Sequence, residues 1–413
     1  MGWHWVGNQV LNHNCQRQGL LHLAIALPLL FGITAPNALA QSVDSADVVS
    51  ADLSYDGALW GIAKGQSAPT ATWQNQAQLD LGFRLTPVTS STTWRAHASV
   101  RWRNTNPDRD PGTLIGSTPL FDPSDWGAGT GVRLMQVGIG MESKSLNLLA
   151  GWIQPQQHFL LQPLSKKVLN HAVLSAKGLG GNIPFVSSFS TWGALADWRS
   201  SSKSYIKAGT FMTYPEATES SNHGLWFGGN PNQPGSNRLM GLIETGTRLS
   251  LGKRQRPGLV AIGAYVYNGA AVQTNPSVNQ GTQSGGYLQW DQQLWSDPKG
   301  TGRQIDVFSV LTASPAANNA YPLYGHVGLA IQGPFSQRTQ DLLISTLAVG
   351  TYSRATPGTS PTSSLIAELG YQLALDSRSS YALYPFAQLV VRPEGTNNVP
   401  MALLAGISVR ISF

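Results

Sequence analysis

The sequence predicts an all-β protein: a transmembrane antiparallel β-barrel, of sixteen strands by count, following a cleaved leader. Three observations carry this. Read back from the C-terminus, every second residue is apolar, Phe413, Ile411, Val409, Ile407, Ala405 and Leu403, while the other set holds Ser412, Arg410, Ser408 and Gly406. A two-residue period puts the two sets on opposite faces of a strand, and an aromatic end with an apolar outer face is the pattern of a barrel strand in lipid. Charged residues make up only 12% of the chain, against about 25% in ordinary soluble domains, beside 44 Gly and 13 Trp. Candidate strands from about Ser54 to Phe413 are joined by connections that alternate in length.

The elements follow in chain order. Arg17, the apolar run 23–33 and Ala38-Leu39-Ala40 read as a secretory signal peptide over residues 1–40, cleaved near Ala40. That apolar run is shorter than the roughly 20 residues a bilayer span needs. Loss of Arg17 takes the formal net charge from +6 to +5. Cys15, the single cysteine, would leave with the leader, so residues 41–413 have no disulfide, thiol nucleophile or cysteine metal site. No later apolar run is long enough for a membrane helix. No clustered Lys/Arg stripe accompanies the basic balance, which argues against nucleic acid. Residues 41–413 form one domain without repeat or linker, and 41–53 is too short for a plug.

Short connections are read at 86–92, 142–145, 199–204, 251–258, 296–302, 334–339 and 376–380. Longer ones, mostly rich in Gly, Pro, Asn and Ser, are read at 62–73, 104–131, 155–190, 213–238, 269–285, 313–321, 353–362 and 392–400. Short turns on one rim and long loops on the other are the layout of an outer-membrane barrel, with both termini at the periplasmic rim. Segment 155–190 is the longest. Its Pro163-Leu164-Ser165-Lys166-Lys167-Val168-Leu169-Asn170 suits one or two helical turns. Such a loop either folds into the barrel and narrows it or caps it from outside.

The sharpest chemistry lies in the second and third strands. Leu79, Leu81, Phe83 and Leu85 share one face of the second, with Asp80, Gly82 and Arg84 on the other. In the third, Trp94, Ala96, Ala98, Val100 and Trp102 alternate with Arg95, His97, Ser99, Arg101 and Arg103. An Arg facing lipid near the midplane costs about 2–4 kcal/mol, so the arginines must line the lumen. There they can donate to sugar hydroxyls, or pair with inward acids such as Asp80, Glu244 or Glu368 and hold the interior together. If 155–190 folds inward, the constriction should lie near mid-height, beside His97, Ser99 and Arg101. His97 has no neighbours at metal-ligand spacing. Trp290 and Trp295, flanking Gln292 and Gln293, suit an interfacial girdle or a sugar-stacking surface. No nucleophile elbow, HExxH or paired-carboxylate arrangement supports catalysis; no cofactor is expected.

With these strands in place, the chain resembles the carbohydrate-selective porin family of OprB type over nearly all of residues 41–413. The resemblance is carried by Leu53-Ser54-Tyr55-Asp56-Gly57, Gln78-Leu79-Asp80-Leu81, Leu146-Asn147-Leu148-Leu149-Ala150-Gly151-Trp152 and Trp192-Gly193-Ala194-Leu195-Ala196-Asp197-Trp198. Later come Gly286-Tyr287-Leu288-Gln289-Trp290-Asp291, Gly328-Leu329-Ala330-Ile331-Gln332-Gly333-Pro334-Phe335, Glu368-Leu369-Gly370-Tyr371, Tyr384-Pro385-Phe386-Ala387-Gln388 and the final Phe413. Order and spacing, rather than any single piece, make it specific. Gln136 stands where family members often have Glu, and 104–129 matches poorly.

The resemblance implies a sixteen-stranded barrel in the outer membrane of a Gram-negative bacterium. It would admit glucose and other small sugars or polyols passively, through a constriction of arginines and acids. Strand phase and family placement together assign lumen roles to Arg84, Arg95, Arg101 and Arg103, with His97, Asp80, Glu244 and Glu368 beside them. Phe413 is read as the signal to the barrel-assembly machinery. The expected partners are transported sugars, outer-membrane lipids and that machinery. Rival readings are a general or anion-preferring porin, an outer-membrane barrel enzyme, and a secreted β-rich glycan-binding protein.

Overall fold

In a computed structural model of the chain, the described residues are 48–126, 130–187, 189–214, 223–224, 238–269, 282–354, 363–395 and 398–413. The expected leader over 1–40, with Cys15, lies outside them, as do most of the expected connections 213–238, 269–285 and 353–362.

The strands are β1 (Val49–Lys64), β2 (Thr70–Arg84), β3 (Thr93–Asn104), β4 (Gly131–Glu142) and β5 (Leu146–Ile153). There follow β6 (Thr191–Arg199), β7 (Ser204–Thr213), β8 (Arg238–Leu251), β9 (Arg256–Tyr267), β10 (Gln283–Ser296) and β11 (Gln304–Ala313). The last are β12 (Leu323–Gln332), β13 (Leu342–Thr351), β14 (Ser363–Ala374), β15 (Tyr381–Val391) and β16 (Ala402–Ser412). Each pairs antiparallel with its neighbours in sequence, and β16 returns to β1 to close the barrel at sixteen strands. The first strand starts five residues before the Ser54 expected from sequence and runs on to Lys64, and β2 begins at Thr70, so the expected long connection 62–73 is a short one over 65–69. At the seam Ala58 faces Ser408 and Gly57 faces Val409. Phe413 donates its backbone N–H to the Leu53 carbonyl at 2.8 Å. A closed sheet leaves no unpaired edge, which is what hydrocarbon demands of a backbone.

The two-residue period sorts the faces. Leu79, Phe83, Trp94, Val100 and Trp102 are exposed on the outside. Arg95, Arg101 and Arg103 of β3 point inward and are buried. The phase slips where an extra residue enters a strand. Opposite Ser99 and Val100, β4 presents Gln136 and then Leu134, leaving Met135 as a bulge. A second slip lies between Gln293 and Trp295. Trp290 is exposed on the outer face and Trp295 half-buried.

The inner wall departs from the expected alternation. From β11 round to β1 it is largely apolar: Phe308, Ile344, Ile366, Phe386, Leu404 and Trp60 are buried inside the barrel. Two long connections cover them. The β3–β4 connection contributes a short helix, α1 (Pro111–Ile115), capped by the Asp110 carboxylate accepting from the Gly112 N–H at 3.0 Å. Ile115, Leu120, Phe121 and Trp126 of that connection join the interior cluster. The β5–β6 connection adds Val168, Leu169, Ala172, Val173 and Ala176 to this cluster, and Phe159, Leu160, Leu179, Ile183 and Phe185 to a second one. The second cluster packs the loop against Leu195, Phe211, Met240, Leu242, Tyr265 and Tyr287 of β6–β10, so the inserted loops bury apolar wall on that side as well.

Candidate functional site

The narrowing element is the β5–β6 connection, residues 154–190, and its hydrogen bonds trace its course. The Leu160 N–H donates to Glu244 Oε2 of β8 at 2.7 Å. The Leu161 carbonyl accepts from Gln289 Nε2 of β10 at 2.7 Å. Gln162 Nε2 donates to Asp291 Oδ1 of β10 at 2.7 Å and to the Ser309 carbonyl of β11 at 3.0 Å, and its Oε1 lies 2.9 Å from His326 Nε2 of β12. The Leu169 and Asn170 N–H groups and Asn170 Nδ2 reach Glu368 of β14 at 3.0, 2.9 and 2.8 Å. Residues 160–170 thus form an arc along the inner wall from β8 to β14. A 3-10 turn, Leu164–Lys167, lies within it.

The chain then returns above the arc. His171 Nδ1 sits 2.6 Å from Asp125 Oδ1 of the β3–β4 connection. Tyr324 donates its hydroxyl to the Ala172 carbonyl at 2.6 Å. Lys177 is fully buried, with φ of 42°, and donates from Nζ to the Leu160 carbonyl at 2.8 Å, tying the return to the arc. Burial pushes its ammonium down to about 7; Lys166 adds to this, while Asp291 and Glu244 oppose it. Asn182 Nδ2 donates to the Tyr321 carbonyl at 2.9 Å. The return ends over β3, where Arg101 Nη1 donates to the Ser187 carbonyl at 3.4 Å and Arg103 Nη2 to Ser187 Oγ at 3.3 Å.

Buried acids knit the two loops together. Asp122 is held well above the usual carboxylate range, chiefly by burial and then by the neighbouring charge of Asp110. Burial also raises Asp125, but the hydrogen bond and charge of His171, together with Arg103, outweigh it and leave that carboxyl low.

The residues singled out from sequence divide into two groups. Arg84, His97 and Asp80 are half-buried on the inner face, and Arg95 is buried there outside the inserted loops. Arg84 clasps the short turn after β2, donating to the Thr86 carbonyl at 3.2 Å and Thr93 Oγ1 at 3.1 Å. Arg95 lies 3.9 Å from Glu142. Asp80 accepts from Gln78 Nε2 at 2.8 Å, and His97 is half-buried. Arg101, Arg103, Glu244 and Glu368 also point inward, but only 7%, 3%, 1% and 2% of their surface is exposed. This corrects their expected contact with solute: the inserted loops cover them, and their donors and acceptors go to protein. Nor do the arginines bond to the expected acids. Arg101 Nε donates to Gln78 Oε1 at 2.8 Å and Arg103 Nε to Gln76 Oε1 at 3.1 Å.

Sequence reasoning missed Lys166 and Lys167, the charged groups the arc exposes to the lumen. Confinement strips water from both and holds them below the usual lysine range; Arg410 adds to this at Lys167 and Asp56 opposes it. Lys167 borders a recess with Gln332, Thr339, Gln340, Gln372 and Ser379. On the other flank Leu164 borders a recess with Arg248, Leu259, Asp291, Gln293 and Asp306. A signal for the insertion was present: 159–185 carries too many apolar residues for a loop in water. Among the described residues no group of three or more His, Cys, Asp or Glu is placed to hold a metal.

The model of the carbohydrate-selective porin, OprB family, matches residues 99–413. The structure is similar to that of Pseudomonas putida OprB at high pH, with a TM-score of 0.77, 20% identity, and coverage of 88% of this chain and 94% of the other. The low-pH structure of Pseudomonas putida OprB aligns with a TM-score of 0.54, 16% identity, and coverage of 88% and 92%. At these identities the likeness is one of fold. No curated protein matches the sequence. A family match over three quarters of the chain and a closed barrel narrowed by its own loops lead to one assignment: the chain belongs to the carbohydrate-selective porin, OprB family.

Proposed function

We propose that the protein conducts glucose and other small sugars or polyols down their gradient across the outer membrane of a Gram-negative bacterium. The observation that carries this is the lining left open beside the arc. On one flank it is built from amides and hydroxyls beside Lys167, namely Gln332, Gln340, Gln372, Thr339 and Ser379; on the other, Asp291, Gln293, Asp306 and Arg248 stand among Leu164, Pro257, Leu259 and Val307. Such a lining exchanges a solute's hydroxyl–water bonds for hydroxyl–protein bonds at little net cost, which lets it enter and leave. The half-buried Asp80, His97 and Arg84, with Arg95, line the same passage toward the short-turn rim. Lys166 and Lys167 stand on the arc, with the opposite charge of Asp56 and the like charge of Arg410 both acting on Lys167.

The role is that of a channel, with no chemical step and no cofactor. The test is swelling of liposomes containing the purified barrel, against a panel of sugars, polyols, amino acids and salts matched in size. Hexoses and polyols should enter faster than amino acids of equal size. Equal rates across the panel would favour a general porin, and rates ordered by negative charge an anion-preferring one.

A further inference from the structure

The arc needs something to hold it in the lumen against water, and the wall supplies it at both ends. At β14, the Glu368 carboxylate accepts from the Leu169 N–H, the Asn170 N–H and Asn170 Nδ2, and from Tyr384 Oη at 2.7 Å and Gln388 Nε2 at 2.9 Å. At β8, Glu244 accepts from the Leu160 N–H, from Tyr205 Oη and Tyr287 Oη at 2.9 Å each, and from Lys207 Nζ at 3.2 Å. In each of these bonds a carboxylate oxygen is the acceptor. A buried carboxylate bonded only by donors is among the stronger and more geometrically exacting contacts available. The two lie six strands apart around the wall. Between them only Pro163, Lys166 and Lys167 of the arc are exposed.

We infer that Glu244 and Glu368 are positioning residues for the passage: two wall carboxylates that hold the two ends of the 160–170 arc and so fix where Lys166 and Lys167 stand in the aperture. The inference rests on the conducting role proposed above. It gives the two acids a task different from touching sugar. Asn170 is the loop-side half of the β14 anchor, and its Oδ1 also accepts from the Val173 N–H at 3.0 Å, setting the turn that follows. Releasing either end lets the arc sample several positions, and an ionic current through the pore reads those positions directly.

The experiment records single-channel currents in potassium chloride, so its readout does not depend on sugar. Asn170→Asp sets two carboxylates against each other while keeping the acceptor for Val173. Asn170 lies in no strand, so the barrel should still close, checked by heat-modifiable gel mobility. This variant, and Glu368→Ala or Glu244→Gln where they fold, should lose the single steady current level and flicker among several. The double variant Asn170→Asp with Glu368→Ala removes the carboxylate that Asn170→Asp would repel, so the two changes act on one contact. It should flicker no more than Glu368→Ala alone, whereas two independent losses of packing would add. Lys166→Gln with Lys167→Gln should keep the steady level and shift the reversal potential toward cations. Folded Asn170→Asp and Glu368→Ala channels that conduct as steadily as the parent would overturn the inference. A flickering Asn170→Asp channel whose effect does not add to that of Glu368→Ala supports the anchors even if the parent admits no sugar, in which case only the sugar reading falls.

Discussion

At the scale of single residues, which way a side chain faces was legible and what covers it was not. Val100 and Asp80 illustrate the first. Strand periodicity alone puts Val100 outside and Asp80 inside, and the structure has Val100 exposed on the outer face while Asp80 meets Gln78 within. Val100→Arg should therefore cost about 2–4 kcal/mol of barrel stability. Asp80→Asn, which keeps an acceptor for Gln78, should cost far less; denaturant titration followed by gel mobility compares them. Lys177 illustrates the second. Nothing local marks it for burial, because the apolar groups around it come from a distant part of the loop and from the wall. Its folded value near 7 lies below the ordinary 10.5. Below the lower value both docked and undocked lysine carry the proton, and above the upper value neither does. The penalty for burying it thus grows as pH falls from 10.5 to 7, and docking of the loop strengthens as pH rises through that window. Lys177→Met should remove this dependence. Proteolysis within 155–190 at the two ends of the window measures it: the parent should be cut more slowly at the alkaline end and the variant equally at both.

At the scale of elements, the strands and their alternating connections could be read because period and turn chemistry are local. The paths of the two inserted loops could not, because they are fixed by contacts such as Leu160 with Glu244 and Asn170 with Glu368, more than eighty and nearly two hundred residues apart in sequence. The loop nonetheless carries local devices that belong to its docked path. Gly178 has φ of 77°, and a Cβ there would come within 2.5 Å of the Tyr324 ring. Gly178→Ala therefore meets both backbone strain and a ring that cannot retreat, since Tyr324 is pinned to Ala172. We expect a loss on the order of 1–3 kcal/mol in loop docking, with the barrel still closed. Normal heat-modifiable mobility combined with faster cutting inside 155–190 is the expected pair of results. Slower or unchanged cutting would mean that the return path tolerates a side chain there.

For the whole molecule, assembly and selectivity depend on different parts of the chain. Closure is a property of the sixteen strands and their seam. The width of the passage is a property of two loops packed on the inner wall after closure. The apolar stretches of the inner wall follow from this division: they lie where the loops pack, while polar residues of the same strands, such as Gln332 and Gln372, border the open recess. Phe413 belongs wholly to the seam. Its backbone N–H bonds to Leu53, and its ring meets Tyr381 edge-on with centroids 6.1 Å apart. It touches none of the loop segments that narrow the lumen. Deleting Phe413, or replacing it with Asp, should therefore lower the amount of heat-modifiable barrel in the outer membrane. Barrels that do form should keep the single-channel conductance and sugar preference of the parent, because the arc and its anchors are intact. Quantitative gels on membrane fractions give the first quantity and bilayer recording the second. Unchanged abundance would remove Phe413 as an assembly signal, and altered conductance in the surviving channels would show that the seam and the aperture are coupled.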